Sequence, residues 1–179
     1  MALANAYGWM RGNTGNKGGA MMGYSTRYGD TAGAFASIGG LYKTDVYAIA
    51  RWRHERAERD GQVPPTPEPV LVKPPSAELA PGQEDEKSMG IDYPTLDRML
   101  IAHFEHGVSE NGLVEAGFNR ADVERVLAEV RSQAFKRALE PPYPDAKFYE
   151  QGSVRRAPAH REDVKRAHRP AARRARALQ

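Results

Sequence analysis

At 179 residues the chain is long enough for one domain, but an apolar fraction of 40% with 17 Gly and 13 Pro leaves little surplus for a large core. It has no Cys and no run of about 18 apolar residues, which excludes disulfide frameworks, thiolate metal sites and a membrane-spanning helix. The formal net charge of +3 is unevenly spread, because the stretch from Ser153 to Gln179 is strongly Arg-rich and leaves a mildly acidic remainder, so the charge does not mark the body as a nucleic-acid binder.

Met1 to Trp9 is short and Ala-rich. It reads as the end of a helix leading into a buried strand, with Tyr7 and Trp9 as packing residues. Neither a charged start nor a long apolar core marks Met1 to Met10 as a secretory signal, so a cytoplasmic location is expected.

Asn13 to Asp30 reads NTGNKGGAMMGYSTRYGD. Its first half has no plain helical or strand periodicity. Asn13, Thr14, Gly15, Asn16, Lys17 and the Gly18-Gly19 pair would expose backbone N–H groups, hydroxyls and an ammonium together. Those are the parts of a phosphate-binding loop, since Gly lets the backbone approach an anion closely. An ordinary Gly-rich loop has the same composition. The second half, Gly23 to Asp30, gathers two phenols, two hydroxyls, a guanidinium and a carboxylate.

Lys43 opens an amphipathic helix with Val46, Ile49, Ala50 and Trp52 on its apolar side, ended by Gly61. Gln62 to Pro75 is Pro-rich and reads as extended. Pro81 to Met89 is acidic and reads as a surface loop. Leu96, Met99, Leu100 and Phe104 then recur at helical spacing until Gly107. Ser109 is placed to cap a short helix ending at Gly117. Asn119 is placed to cap another, with Val123, Val126, Leu127 and Val130 as its stripe and Pro141-Pro142 as its stop. His103 and His106 share the i,i+3 spacing of a metal pair but lack a third ligand in view. From Ser153 onward there is no apolar periodicity, as expected of a disordered low-complexity tail.

Several of these stretches recur together in one known family. TGNK at Thr14 to Lys17, GYST at Gly23 to Thr26, YGD at Tyr28 to Asp30, the Lys43-Thr44 pair, ARWR at Ala50 to Arg53 and KPPSAEL at Lys73 to Leu79 stand in the order found in NAD synthetases. The chain resembles the synthetase domain of that family, its glutamine-dependent branch most closely, from about Met1 to about Pro142. The remaining residues, 143–179, do not. The resemblance implies an α/β fold, the C-terminal part of a doubly wound parallel-sheet domain related to the adenine-nucleotide alpha hydrolases, with its ligands at the C-terminal sheet edge.

What the resemblance implies for function is ATP-dependent amidation of deamido-NAD to NAD by ammonia, through an adenylated intermediate. It implies ATP and Mg2+, ammonia drawn from glutamine in the full enzyme, and a homo-oligomer. Residue by residue, Thr14, Lys43 and Ser76 match ATP contacts. Tyr24, Ser25, Thr26 and Arg27, with the later Lys136, match the deamido-NAD site. Lys43 also stands at a helix start, a poor place for an idle cation. Ser76 suits a helix cap equally well, and Lys136 suits a C-terminal helix cation.

Two departures bear on activity. The family's pyrophosphate loop, Ser-Gly-Gly-x-Asp-Ser, does not occur in this sequence. Where the family usually has Ser-Glu, the chain has Gly18 and Gly19, so the Glu that contacts magnesium has no counterpart. These departures, and an opening in mid-element, lead to the expectation of a partial and inactive chain. The rival reading is a non-catalytic nucleotide-binding or interaction fragment. An Arg-tail nucleic-acid binder is the weakest of the three.

Overall fold

A computed structural model describes residues 1–144 and residue 149. The Arg-rich segment therefore lies outside the described residues, and of residues 143–179 only Tyr143, Pro144 and Tyr149 fall within them. In chain order the elements are α1 (Ala2–Tyr7), β1 (Gly12–Asn13), α2 (Lys17–Met22), β2 (Phe35–Ala36), α3 (Lys43–Arg59), α4 (Glu68–Val72), α5 (Asp85–Met89), α6 (Tyr93–Leu100), a π turn (Ile101–Glu105), α7 (Glu110–Glu115), α8 (Arg120–Ser132) and α9 (Ala134–Arg137). The strands β1 and β2 pair in parallel, Gly12 opposite Phe35 and Asn13 opposite Ala36. The class is α/β, helix-rich, with a parallel sheet, as the sequence leads one to expect. No described helix is long and apolar enough to cross a membrane.

The core lies between α2, α6, α7 and α8. Asp92 caps α6 by accepting from the Thr95 N–H at 2.8 Å, and Pro94 sits in the first turn where its missing donor costs nothing. The inward face of α6 is then Tyr93, Leu96, Met99 and Leu100. Ser109 caps α7 through the Gly112 N–H, and Asn119 caps α8 through the Ala121 and Asp122 N–H groups. Val123, Val126, Leu127 and Val130 are all buried on α8. Arg125 reaches from α8 to the Met89 and Gly90 carbonyls at 2.7 and 3.0 Å, which fixes α8 against the turn between α5 and α6. The Ser109 and Asn119 caps and the α8 stripe match the sequence reading, whereas Phe104 is only partly buried in the π turn and α8 ends at Ser132, well before Pro141-Pro142.

Four expectations are corrected. Tyr7 and Trp9 do not pack inward: they stack on each other, ring centroids 4.8 Å apart, and are 63% and 64% exposed. The apolar side assigned to α3 is only partly buried, with Ile49 and Trp52 exposed and Ala57 the residue that is fully covered. The Pro-rich stretch is interrupted by α4, because Pro67 stands at the cap and Pro69 in the first turn, where Pro suits a helix. The acidic stretch is likewise not all loop. It forms α5, with Met89 buried and Asp85 buried as acceptor of the Tyr93 hydroxyl at 3.0 Å. A partner for the carboxylate is what composition could not reveal.

The first half of the Gly-rich stretch also has more structure than its pattern suggests. Asn16 accepts from the Gly19 N–H at 3.0 Å and caps α2. Lys17 does not offer its ammonium to a ligand. It turns inward to pair with Glu105, whose side chain is 1% exposed and also accepts from the Tyr42 hydroxyl at 2.9 Å. Burial, then the Glu105 carboxylate, holds the Tyr42 phenol well above its ordinary range. The Tyr42 N–H donates to the Tyr149 hydroxyl at 3.0 Å, and that hydroxyl donates to Asp45. Beside this group the buried Asp97 carboxylate accepts from the Thr44 N–H at 2.8 Å and so caps α3 from outside. Burial raises the Asp97 pKa, opposed by that N–H. His103 spends a ring nitrogen on the Val108 carbonyl at 2.6 Å, and no cluster of three metal-ligating side chains occurs among the described residues.

Gly18 faces Asp97 so closely that an added Cβ would stand 3.0 Å from Oδ1, an oxygen with no hydrogen-bond partner.

Two measurements test this packing. Leu127→Ala should cost about 2–5 kcal/mol in urea unfolding, and Trp52→Ala well under about 1 kcal/mol. Equal costs would mean that the buried face of the helices is misassigned. Gly18→Ser should unfold at higher urea than Gly18→Ala, because both crowd Asp97 equally but only the hydroxyl can donate to the orphaned oxygen. Ala matching Ser would show that Oδ1 already has a donor in solution.

Candidate functional site

Three segments converge beside the parallel pair. The turn after β1 supplies one wall. Asn13 is buried there, and its amide binds the Asp30 and Ala32 carbonyls while its Oδ1 accepts from the Gly15 N–H at 2.7 Å. That one side chain ties the turn at Thr14 to the loop after α2. Within that loop Asp30 accepts from the Thr26 N–H at 3.0 Å, and Tyr28 adopts a positive φ of 60° as its N–H bonds the Thr31 hydroxyl. The start of α3 brings Lys43. The stretch before α5 brings Ser76 and Leu79.

The result is a cleft of about 360 Å3. Its wall holds all three expected ATP residues, Thr14, Lys43 and Ser76, and three of the expected deamido-NAD residues, Tyr24, Ser25 and Thr26. Gly19 lies in the same wall. A more open depression of about 500 Å3 within the 73–84 stretch shares Ser76 and Leu79 with it.

The side chains differ in how free they are. Thr14 is exposed, and its hydroxyl makes no hydrogen bond among the described residues. Lys43 makes no ion pair among them either; its ammonium lies 5.3 Å from the Tyr93 ring centroid and 5.7 Å from that of Tyr47. Ser76 does not cap a helix. It accepts from the Glu78 N–H at 3.0 Å in a tight turn, with Glu78 at φ 53°. Tyr24 accepts at its hydroxyl from Gln83 at 2.9 Å, which links the loop after α2 to the 73–84 stretch. The Ser25 hydroxyl is buried without a partner.

Arg27 and Lys136 stand outside the cleft wall. The Arg27 guanidinium is exposed and lies over the Tyr28 and Phe135 rings at 5.6 and 5.4 Å. Lys136 does sit near the end of a short helix, α9. Its ammonium donates to the Gly23 and Ser25 carbonyls at 2.5 and 3.0 Å. This geometry makes Lys136 a support for the Tyr24-Ser25 backbone.

Sequence reasoning missed several wall residues: Arg11, Asp85, Tyr93 and Glu140. No spacing rule singles them out, because each comes from a different segment. Glu140 is half-buried, and burial raises its carboxyl to about 7 against the opposing influence of Arg137. Arg137 is itself buried and donates to the Met21 carbonyl at 2.9 Å. Burial pushes Tyr93 well above its ordinary range, with the Asp85 carboxylate adding to the effect. The cleft thus combines two cations, Arg11 and Lys43, with several hydroxyls and three carboxylates.

Comparison with known proteins identifies the chain's relatives. The family model described as NAD synthase matches residues 1–140. The glutamine-dependent NAD(+) synthetase of Thermotoga maritima is 42% identical over 137 residues, which cover 76% of this chain and 23% of that protein. The NH(3)-dependent NAD(+) synthetase of Wolinella succinogenes is 37% identical over 128 residues, covering 72% of this chain and 46% of that protein. The structure of NMN synthetase from Francisella tularensis superposes with a TM-score of 0.57 at 26% identity, over 75% of this chain and 47% of that one. The chain therefore spans about a quarter of the length of such a glutamine-dependent relative and under half of the NH(3)-dependent one. With a family match over residues 1–140 and this degree of identity, the chain belongs to the NAD synthase family.

Proposed function

We propose that the cleft binds ATP and deamido-NAD for the amidation that yields NAD. The observation that supports this reading is the shared wall: Thr14, Lys43 and Ser76 stand in one cleft with Tyr24, Ser25 and Thr26. In the proposed reaction a carboxylate oxygen of deamido-NAD attacks the α-phosphorus of ATP and pyrophosphate leaves. Ammonia nitrogen then attacks the activated acyl carbon and AMP leaves. Such chemistry rests on holding two nucleotides in line and on neutralising phosphate charge. Lys43 supplies a mobile point charge on the phosphates. The Thr14 and Ser76 hydroxyls orient them. Tyr24, Ser25 and Thr26 line the deamido-NAD side, backed by Lys136. Arg27 lies within the same run, where its planar fork can take a phosphate as the ligand extends outward.

Magnesium fits this donor set as an ion carried on the nucleotide phosphates. Among the described residues no three ligating side chains converge, and Gly19 contributes none. When bound it would neutralise phosphate charge. A second reading, a nucleotide-binding fragment without catalysis, is favoured by one specific feature. The position where a carboxylate would reach magnesium is Gly19, which has no side chain.

Three results are expected. Lys43→Ala should weaken ATP binding roughly 10- to 100-fold in calorimetry, the worth of one charge-assisted hydrogen bond. The unaltered chain, assayed alone with deamido-NAD, ATP, Mg2+ and ammonium, should turn over far below the ~1 per second of an ordinary enzyme. Gly19→Glu should fold normally, because an added Cβ meets nothing nearer than Asn16 Nδ2 at 3.5 Å. It should also make ATP binding more dependent on Mg2+, since a carboxylate is a preferred magnesium ligand. An unchanged magnesium dependence in Gly19→Glu would remove that position from the site.

A further inference from the structure

The amidation reading leaves the acidic groups of the cleft unused. Three carboxylates line it: Asp30, Asp85 and Glu140. Asp30 accepts from the Thr26 N–H at 3.0 Å, and Asp85 accepts from the Tyr93 hydroxyl at 3.0 Å through one oxygen while its other oxygen is buried without a hydrogen-bond partner among the described residues. The Glu140 carboxylate accepts no hydrogen bond among the described residues. It is nonetheless held in place from both sides. Its own N–H donates to the Arg137 carbonyl at 3.2 Å, and Arg137 is anchored on Met21. Two residues later the Pro142 carbonyl accepts from the Ala36 N–H at 2.9 Å, which fixes the chain to β2. A half-buried carboxylate on a doubly anchored turn, lining the cleft with Arg137 as its charged neighbour and no hydrogen-bond donor among the described residues, is arranged for a proton.

We propose that Glu140 is the base of this cleft, taking the proton released when an amine nitrogen attacks the activated acyl group. The inference rests on the amidation reading and assigns a residue to its second step. The nitrogen lone pair forms the C–N bond. The bond from the acyl carbon to the adenylate oxygen breaks, and AMP leaves with that electron pair. One N–H proton passes to the Glu140 carboxylate and from there to solvent. Cations around the cleft are Arg11, Lys43 and Arg137; Asp30, Asp85 and the Tyr24 and Tyr93 phenols are its other titratable groups. Burial raises the Glu140 carboxyl to about 7, so near neutral pH it is present in both forms and matched to proton transfer.

The same shift makes a sign prediction for stability. Between the ordinary glutamate range and about pH 7 the folded chain holds a proton on Glu140 that the unfolded chain has lost. The resulting stabilisation is complete below the unfolded value and disappears as pH rises through about 7. Asp97 titrates in the same sense but is common to both proteins compared.

The test uses the full chain with Glu140→Gln and Glu140→Asp. AMP binding by calorimetry should be similar in all three proteins. On raising the pH from 5 to 8, the melting temperature of the unaltered chain should fall relative to that of Glu140→Gln. Single-turnover amide formation from deamido-NAD, ATP, Mg2+ and ammonium should rise with pH through about 7 in the unaltered chain. It should drop roughly 10²- to 10⁴-fold in Glu140→Gln, lose that pH step, and recover in part in Glu140→Asp. Parallel melting curves, or equal rates with one pH profile, would overturn the role of Glu140 alone. An unaltered chain that binds no AMP or forms no amide would instead overturn the amidation reading, and the base with it.

Discussion

The ion pair between Lys17 and Glu105 is the constraint on which the site depends. Its two ends belong to segments far apart in sequence, the first turn of α2 and the π turn after α6. Neither charge could be buried alone without a penalty of several kcal/mol. Together, with the Tyr42 hydroxyl as a further donor, they lock the start of α2 and the residue before α3 onto one carboxylate. That lock helps to place the parts of the cleft nearest to it. Thr14 and Gly19 flank Lys17, and Lys43 follows Tyr42. The π turn fits the same logic. An extra residue in the helical repeat redirects the side chains after Leu100, and Glu105 is buried at its end.

A second layer of polar links completes the arrangement. Asp97 caps α3, Asn13 joins two loops, and Gln83 joins a third to Tyr24. Each is a side chain bonded across a large sequence separation, and none contributes much apolar burial. The hydrophobic core of α6, α7 and α8 supplies the stability, and these polar side chains supply the geometry. Such a division leaves the cleft wall on loops carried by a rigid helical platform.

The helical half of the fold was plain in the sequence because local rules suffice there. Asp92, Ser109 and Asn119 each cap the helix that follows, and the buried stripe of α8 is the one its spacing describes. The site was legible only through motif likeness, and then unevenly. Thr14, Lys43 and Ser76 reach the cleft, while Lys136 turns to backbone carbonyls. Lys17 looked like a ligand and is a core residue, since its partner lies 88 positions away. Asp85 and Glu140 were invisible for the same reason. Their surroundings are made by tertiary packing, and a window of neighbouring residues contains none of it. Tyr7, Trp9, Ile49 and Trp52 erred the other way: large and apolar, yet exposed.

Gly23 carries a constraint of an unusual shape. It ends α2 in the left-handed region, with φ 63°, and an added Cβ would fall 2.5 Å from the Gln133 Cβ. The backbone objection and the steric objection are independent. Shortening the side chain at 133 leaves the Cβ that causes the second in place, and no change there touches the first. The two positions therefore cannot compensate for each other in the manner of an ordinary contacting pair. With glycine at 23, position 133 is under no matching constraint from this contact, whereas position 23 is held to glycine by its own backbone.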